Sequence, residues 1–146
     1  DEGEVRRVLV AEARRFAAAD RVALLVAGDD GGEPEPVAVE PAGAAAPGTR
    51  LAASVAATGA PRAEDGEVAV PVPPGPGGAA RTGRPAVLAA AFGAREPDEE
   101  VLDRLAGLAA QAGVALANAR VLSDLRQEGE QRRGLSAALL LAQEDE

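Results

Sequence analysis

Few side chains here can do covalent or acid–base chemistry. The chain has no His, no Cys and no Lys, and all 15 of its positive charges are Arg. Those absences exclude thiolate nucleophiles, disulfides, Cys/His zinc sites, His-ligated haem and Schiff-base lysines. The hydroxyl side chains are Thr49, Ser54, Thr58, Thr82, Ser123 and Ser136, and none has an imidazole to activate it, which excludes a Ser-His-Asp triad. Carboxylate pairs remain, among them Asp29–Asp30 and Glu99–Glu100. Both sit in polar stretches that read as a turn and a helix start rather than as an acid/base dyad. No carboxylate spacing matches a calcium loop, and the Gly-rich run Gly75–Gly83 lacks the GKS/T ending and following helix of a phosphate cradle. The expectation is therefore a chain with no catalytic residue, no metal and no cofactor.

The 146 residues are enough for one domain with a true core. Phe16 and Phe92 are the only aromatics and Ala accounts for 36 residues, so Val, Leu and Ala must fill that core at close spacing. Net charge is −9, with no basic stripe and almost no ring to stack on a base, which argues against nucleic-acid binding. No uninterrupted apolar run reaches the roughly 20 residues of a membrane span, and no secretory signal is recognisable. A cytoplasmic location is expected. The chain starts at Asp1 and has no Met, so it is expected to be a piece of a longer protein.

Such chemistry as remains must be positioned by elements that the pattern predicts. Residues 2–19 read as an amphipathic helix with Val5, Val8, Leu9 and Phe16 on one face. Glu12 falls within that face and is expected to reach Arg15 or a neighbouring helix at a wet interface. Arg21–Gly28 and Val37–Pro41 read as strands joined through Asp29-Asp30-Gly31-Gly32, the second at a sheet edge because of Pro34, Pro36 and Pro41. A short helix over Thr49–Thr58, capped by Thr49 and stopped by Gly59, leads to a minimal strand at Arg62–Glu64. Glu67–Val72 alternates with Val68, Val70 and Val72 on one face. Pro73–Gly83, with three Pro and four Gly, is predicted to be a loop. Pro85–Phe92 is the most apolar strand and the expected centre of the sheet. From Asp98 a long helix runs to about Glu128, and Leu135–Ala142 resumes as a second helical stretch.

Several of these stretches resemble segments of GAF domains. The run Thr49–Pro61 (TRLAASVAATGAP) resembles the short helix that ends in a Thr-Gly-x-Pro turn. Glu67–Val72 (EVAVPV) is similar to the strand carrying an Ala-Val-Pro tripeptide. Val87–Phe92, Pro97 and Asp98-Glu99-Glu100 resemble the last strand leading into the final helix. Leu102–Leu125 (LDRLAGLAAQAGVALANARVLSDL) is similar to the family's C-terminal helix, with its Leu-Ala-x-Gln-x-x-x-Ala-Leu-x-Asn-Ala pattern. The resemblance covers about residues 2–127. It implies an α/β (α+β) fold: an antiparallel sheet of five to six strands flanked by N- and C-terminal helices. Residues 1–127 would form the sensory domain, and 128–146 a linker or signalling helix toward an output domain.

The departures from the family bear on ligands. Cyclic-nucleotide-binding members carry an Asn-Lys-Phe-Asp-Glu signature, bilin-binding members attach pigment through Cys, and haem-binding members use His; this chain has none of these. What the resemblance leaves is a small aliphatic pocket, here Leu51, Val55, Val70, Val72, Leu88 and Ala90, for an unidentified small molecule or for nothing. The tail Ala137–Glu146 resembles the run upstream of the phosphoacceptor helix of one class of sensor histidine kinases. The implied role is a regulatory sensory and dimerisation domain of a bacterial two-component kinase. A ligand-free structural dimerisation module and the input domain of a serine/threonine phosphatase are the alternatives.

The C-terminal helix is apolar on two sides. Val101, Leu105, Leu108, Ala112, Leu116 and Ala119 share one face, expected on the sheet. Ala106, Ala110, Gly113, Val114, Ala117 and Val121 form the second, expected to meet the same face of a second copy in a parallel homodimer. The alternative cover for that second face is the helix over residues 2–19 of the same chain.

Overall fold

The computed structural model describes residues 2–28, 33–74, 85–93 and 95–144. The expected hairpin tip at Asp29–Gly32 and most of the expected loop at Pro73–Gly83 fall outside the described residues.

The chain opens with α1 (Glu2–Ala17), whose acidic first turn (Glu2, Glu4) and basic last turn (Arg14, Arg15) both complement the helix dipole. Strands β1 (Arg21–Val26) and β2 (Glu35–Glu40) follow, then α2 (Thr49–Thr58), β3 (Arg62–Glu64), β4 (Glu67–Val72), β5 (Ala86–Ala91) and the 46-residue α3 (Glu99–Glu144). All described pairings are antiparallel in one five-stranded sheet of order β2-β1-β5-β4-β3. This is the α+β architecture expected from the sequence, with the apolar β5 at its centre.

Local chemistry explains most of the boundaries. β2 carries Pro36 and lies at the edge, where a missing N–H is tolerated. β3 pairs with β4 only over Arg62–Glu64, and the ladder stops where Pro61 and Pro71 remove their donors. Asp65 and Gly66, with φ of 52° and 76°, make the two-residue turn that matches strand twist. The N-cap position of α2 belongs to Gly48, not Thr49, and carries no side-chain capping bond; Gly59 closes the helix as expected. Asp98 caps α3, its Oδ1 accepting from the Val101 N–H at 3.0 Å.

The sheet separates two cores. On one face Val22, Leu24, Val68, Val70, Val72, Leu88, Ala90 and Phe92 pack with Val10, Ala13 and Ala17 of α1 and Leu105, Ala109 and Ala112 of α3. On the other, Ala23, Leu25, Ala69, Val87 and Ala89 pack against Leu51, Ala52 and Val55 of α2. Strand alternation alone produces this division, since residues of opposite parity point to opposite faces.

One expectation about α3 needs correction. The helix does not break near Glu128 but runs unbroken to Glu144. Gly129 and Gly134 each weaken it by about 1 kcal/mol, yet no Pro or capping residue between them ends it. It also contains an apolar window of mean hydropathy 1.3, long enough by composition to cross a membrane, although no uninterrupted apolar run exists. Within α3, Leu105, Ala109 and Ala112 are instead buried against the sheet.

Candidate functional site

The six residues expected to line a pocket are not brought together. Leu51 and Val55 belong to the α2 core, whereas Val70, Val72, Leu88 and Ala90 belong to the core under α1 and α3. The sheet itself stands between the two sets, so the expected pocket does not form as one cavity. On the α2 side the packing is tight: Leu51 is 4% exposed, and Ala52 and Val55 are fully buried. The Gly48 loop sits against the Ala89 side chain so closely that a Cβ on Gly48 would collide with it. A cavity beside α2, lined by Arg50, Leu51, Glu64 and Glu67, holds about 40 Å³, room for a water or two.

The larger concavity lies on the opposite face. Leu9, Ala13 and Phe16 of α1 and Gly107, Leu108, Gln111 and Ala112 of α3 flank a groove floored by Leu24 and Leu88, with a volume of about 680 Å³. That volume is within the range of small-molecule sites. Its rim is acidic, with Glu12, Glu100 and Asp103, but Glu12 is paired with Arg15 and Glu100 with Arg104. Of the two partners expected for Glu12, Arg15 or a neighbouring helix, the structure pairs it with Arg15, at an exposed position beside the groove. Phe16 stands at the edge, 60% exposed. Sequence reasoning missed this groove, because nothing in the chain states how far apart two Ala-rich helices settle on one sheet face.

α1 runs antiparallel to α3, held at its start by Glu2, whose Oε1 accepts from Arg120 Nε at 3.1 Å and from Arg6 Nη2 at 3.1 Å. Of the face expected on the sheet, Leu105 and Ala112 are buried and Val101, Leu108 and Leu116 pack partly against the core. Leu102 and Ala109 join them, and the spacing reading had missed both.

The face expected to meet a partner divides in two. Gly113 lies against the Pro73 carbonyl, and Ala117 is 8% exposed, so both are covered within the chain. Gly113 is covered by the strand end at Pro73, not by the N-terminal helix that was the alternative cover. Ala106, Ala110, Val114 and Val121 are exposed.

Beyond Ala117 no described residue is buried. The exposed part of α3 carries Val121, Leu122, Leu125, Leu135, Leu139, Leu140 and Leu141, each at least 40% exposed. Among the described residues, this surface and the α1–α3 groove are the features that carry the functional reading. Among the described residues, no group of three or more acidic side chains is placed to hold a metal ion.

No protein-family model matches the chain, and no curated protein sequence does. Solved structures match with high probability. The second GAF domain of DevS from Mycobacterium smegmatis aligns at 27% identity and a TM-score of 0.62, covering 88% of this chain and 99% of that one. The blue-light-absorbing form of the PixJ GAF domain from Thermosynechococcus elongatus aligns at 19% identity and 0.63, over 88% and 92%. The GAF domain of a phosphoenolpyruvate-protein phosphotransferase from Coxiella burnetii aligns at 16% identity and 0.63, over 85% and 87%.

Proposed function

We propose that the chain, which has the fold of the GAF domains it aligns with, serves as the regulatory sensory and dimerisation domain of a cytoplasmic bacterial signalling protein, with a two-component sensor histidine kinase as parent. The observation that supports this is the reach of α3. Its last buried residue is Ala117, yet the helix continues through Glu144, about 40 Å further at 1.5 Å per residue. A helix with interior glycines and a row of exposed leucines gains little from propensity alone and needs a partner to bury its apolar side. A second copy supplies that partner.

In this reading the helix also transmits the signal. The sheet-facing side of α3 packs on β4 and β5 through Leu105, Ala109 and Ala112, so a change in the α1–α3 groove tilts or shifts a rod whose far end leads toward residue 144. Such a domain biases a two-state helical pair and carries out no turnover of its own. The light absorption of the PixJ domain does not transfer, because this chain has no Cys for attaching a pigment.

The second reading is a structural dimerisation module with no ligand, which the closely packed α2 face favours. Thermal melts against a panel of neutral metabolites separate the two: a specific stabiliser in the groove raises the melting temperature, and none does so for a purely structural module. Sedimentation velocity over a wide concentration range tests dimerisation itself. A chain that stays monomeric throughout refutes both readings. Autophosphorylation or hydrolysis by this chain above a contaminant control would refute the absence of turnover.

A further inference from the structure

The exposed side of α3 carries more than scattered leucines. Val114, Asn118, Val121, Leu125, Glu128, Arg132, Leu135, Leu139 and Ala142 follow one another at alternating spacings of four and three, and all nine are exposed. That is a 3.5-residue repeat sustained over four heptads, the period of a left-handed coiled-coil seam. Asn118, Leu125, Arg132 and Leu139 take one core position, and Val114, Val121, Glu128, Leu135 and Ala142 take the other.

We infer that this seam is the dimer contact: two copies of α3 pair in parallel and in register along residues 114–142, with Asn118 fixing the register and a four-charge layer of Glu128 and Arg132 dividing the seam. The inference rests on the dimerisation proposed above and moves the contact outward from the Ala106–Val121 face.

The polar residues within the seam identify the occupant as a second copy. Glu128 and Arg132 sit one turn apart and carry opposite charges. In a parallel pair each Glu128 packs beside the Arg132 of the other helix, so the two copies complete a box of two acids and two bases. A foreign helix would have to supply an acid and a base at those same two levels, and a lipid surface would leave both charges in hydrocarbon. Asn118 meets its own copy across the two-fold axis, where an amide is both donor and acceptor and so complements itself. A single amide at such a core position is the usual way a parallel pair fixes its register.

An antiparallel pair crossing at residue 130 is the serious rival. It too places Glu128 opposite Arg132, with Leu125 opposite Leu135 and Val121 opposite Leu139. It leaves Asn118 facing the methyl of Ala142, however, with a desolvated amide and no partner. Asn118 therefore decides for the parallel arrangement. The seam then has two apolar segments, Val121–Leu125 and Leu135–Leu139, separated by charge, so that one can tighten while the other loosens.

The chain contains no cysteine, so single introduced cysteines report the geometry directly. Leu125→Cys and Leu135→Cys are oxidised with copper phenanthroline, each alone and then mixed. Parallel in-register pairing gives a disulfide dimer from each variant alone, because equivalent Cα atoms lie within bridging reach. Efficient cross-linking only in the mixture shows the antiparallel pair and overturns the inference. So does a wild-type dimer in which neither the single variants nor the mixture cross-links. A wild-type chain that is monomeric by sedimentation refutes the dimerisation reading beneath it. The charge layer is tested by Glu128→Arg and Arg132→Glu. Each alone gathers four like charges and should weaken the dimer at least tenfold, and mixing the two should restore pairing as a heterodimer. Unchanged dimerisation of both single variants would overturn the charged layer, with circular dichroism confirming that each remains helical.

Discussion

Replacing Gly113 with Ala should destabilise the domain, although the same change elsewhere in α3 should stabilise it. In a helix interior Gly→Ala ordinarily gains about 1 kcal/mol. At Gly107 no atom lies within 4 Å of the added Cβ, so that gain should appear in full. At Gly113 the Cβ would run into the carbonyl oxygen of Pro73 and close on Val72 Cγ1 at 3.6 Å. The obstacle is backbone, which cannot rotate away, so α3 must lift from the end of β4. Overpacking of this kind costs about 1–3 kcal/mol, and a rigid obstacle belongs at the upper end. The net expectation is a loss of about 2 kcal/mol for Gly113→Ala against a gain of about 1 for Gly107→Ala. In a domain of this size those values lower Tm by about 4–8 °C and raise it by about 2–4 °C. Thermal and urea melts at one fixed protein concentration, where dimer linkage is constant, measure both. A Gly113→Ala variant as stable as Gly107→Ala would refute the close approach. Unchanged stability with weakened dimerisation would return Gly113 to the partner interface.

Three further changes test other parts of the structure. Ala117→Glu places a carboxylate at a position 8% exposed within the single chain, and should cost about 2–3 kcal/mol of monomer stability in urea titrations; a fully stable variant would show the site to be open. Leu24→Ala removes a side chain 1% exposed from the groove floor and should cost about 3 kcal/mol, also read from urea titrations; a loss under 1 would mean the floor is already loosely packed. Gly129→Ala with Gly134→Ala, where an added Cβ meets nothing within 4 Å, should raise helicity by circular dichroism and add about 1 kcal/mol per site to the stability of that segment.

Much of the fold was legible in the sequence because the local signals agree with one another. Thr49–Thr58, Arg62–Glu64 and Glu67–Val72 have the boundaries that their glycines, prolines and alternation imply. The edge position of β2 follows from Pro36, and the central position of β5 from its unbroken apolar run. The continuity of α3 was not legible, since Gly129 and Gly134 read as a break although no residue between them forces one. The pocket failed for a different reason. Alternation correctly put Val70 and Val72 on one face and Leu88 and Ala90 on a shared one, but alternation has no sign: it does not say which face receives α2. That choice depends on contacts between elements far apart in sequence.

Side-chain size did carry a usable signal about that choice. The face that receives α2 offers Ala23, Ala69 and Ala89 beneath the helix, and Gly48 lies directly on Ala89. Small residues in the floor let a short helix approach until Leu51 and Val55 fill the remaining space, and the cavity beside α2 among the described residues Arg50, Leu51, Glu64 and Glu67 holds about 40 Å³. On the other face Leu24 and Leu88 stand up from the sheet, while Ala13, Gly107 and Ala112 on the helices above add little volume between them. Large residues below and small ones above hold the backbones apart without filling the gap, and the groove of about 680 Å³ is the result. Among the described residues, this groove is built on α3, the helix that continues past the last sheet contact. A ligand closing that groove would bear directly on Leu108, Gln111 and Ala112, with the seam residues Val114 and Asn118 about one and two turns beyond Gln111. In the proposed function, sensing and pairing would therefore meet on a single helix, whereas a ligand under α2 would first have to move the sheet.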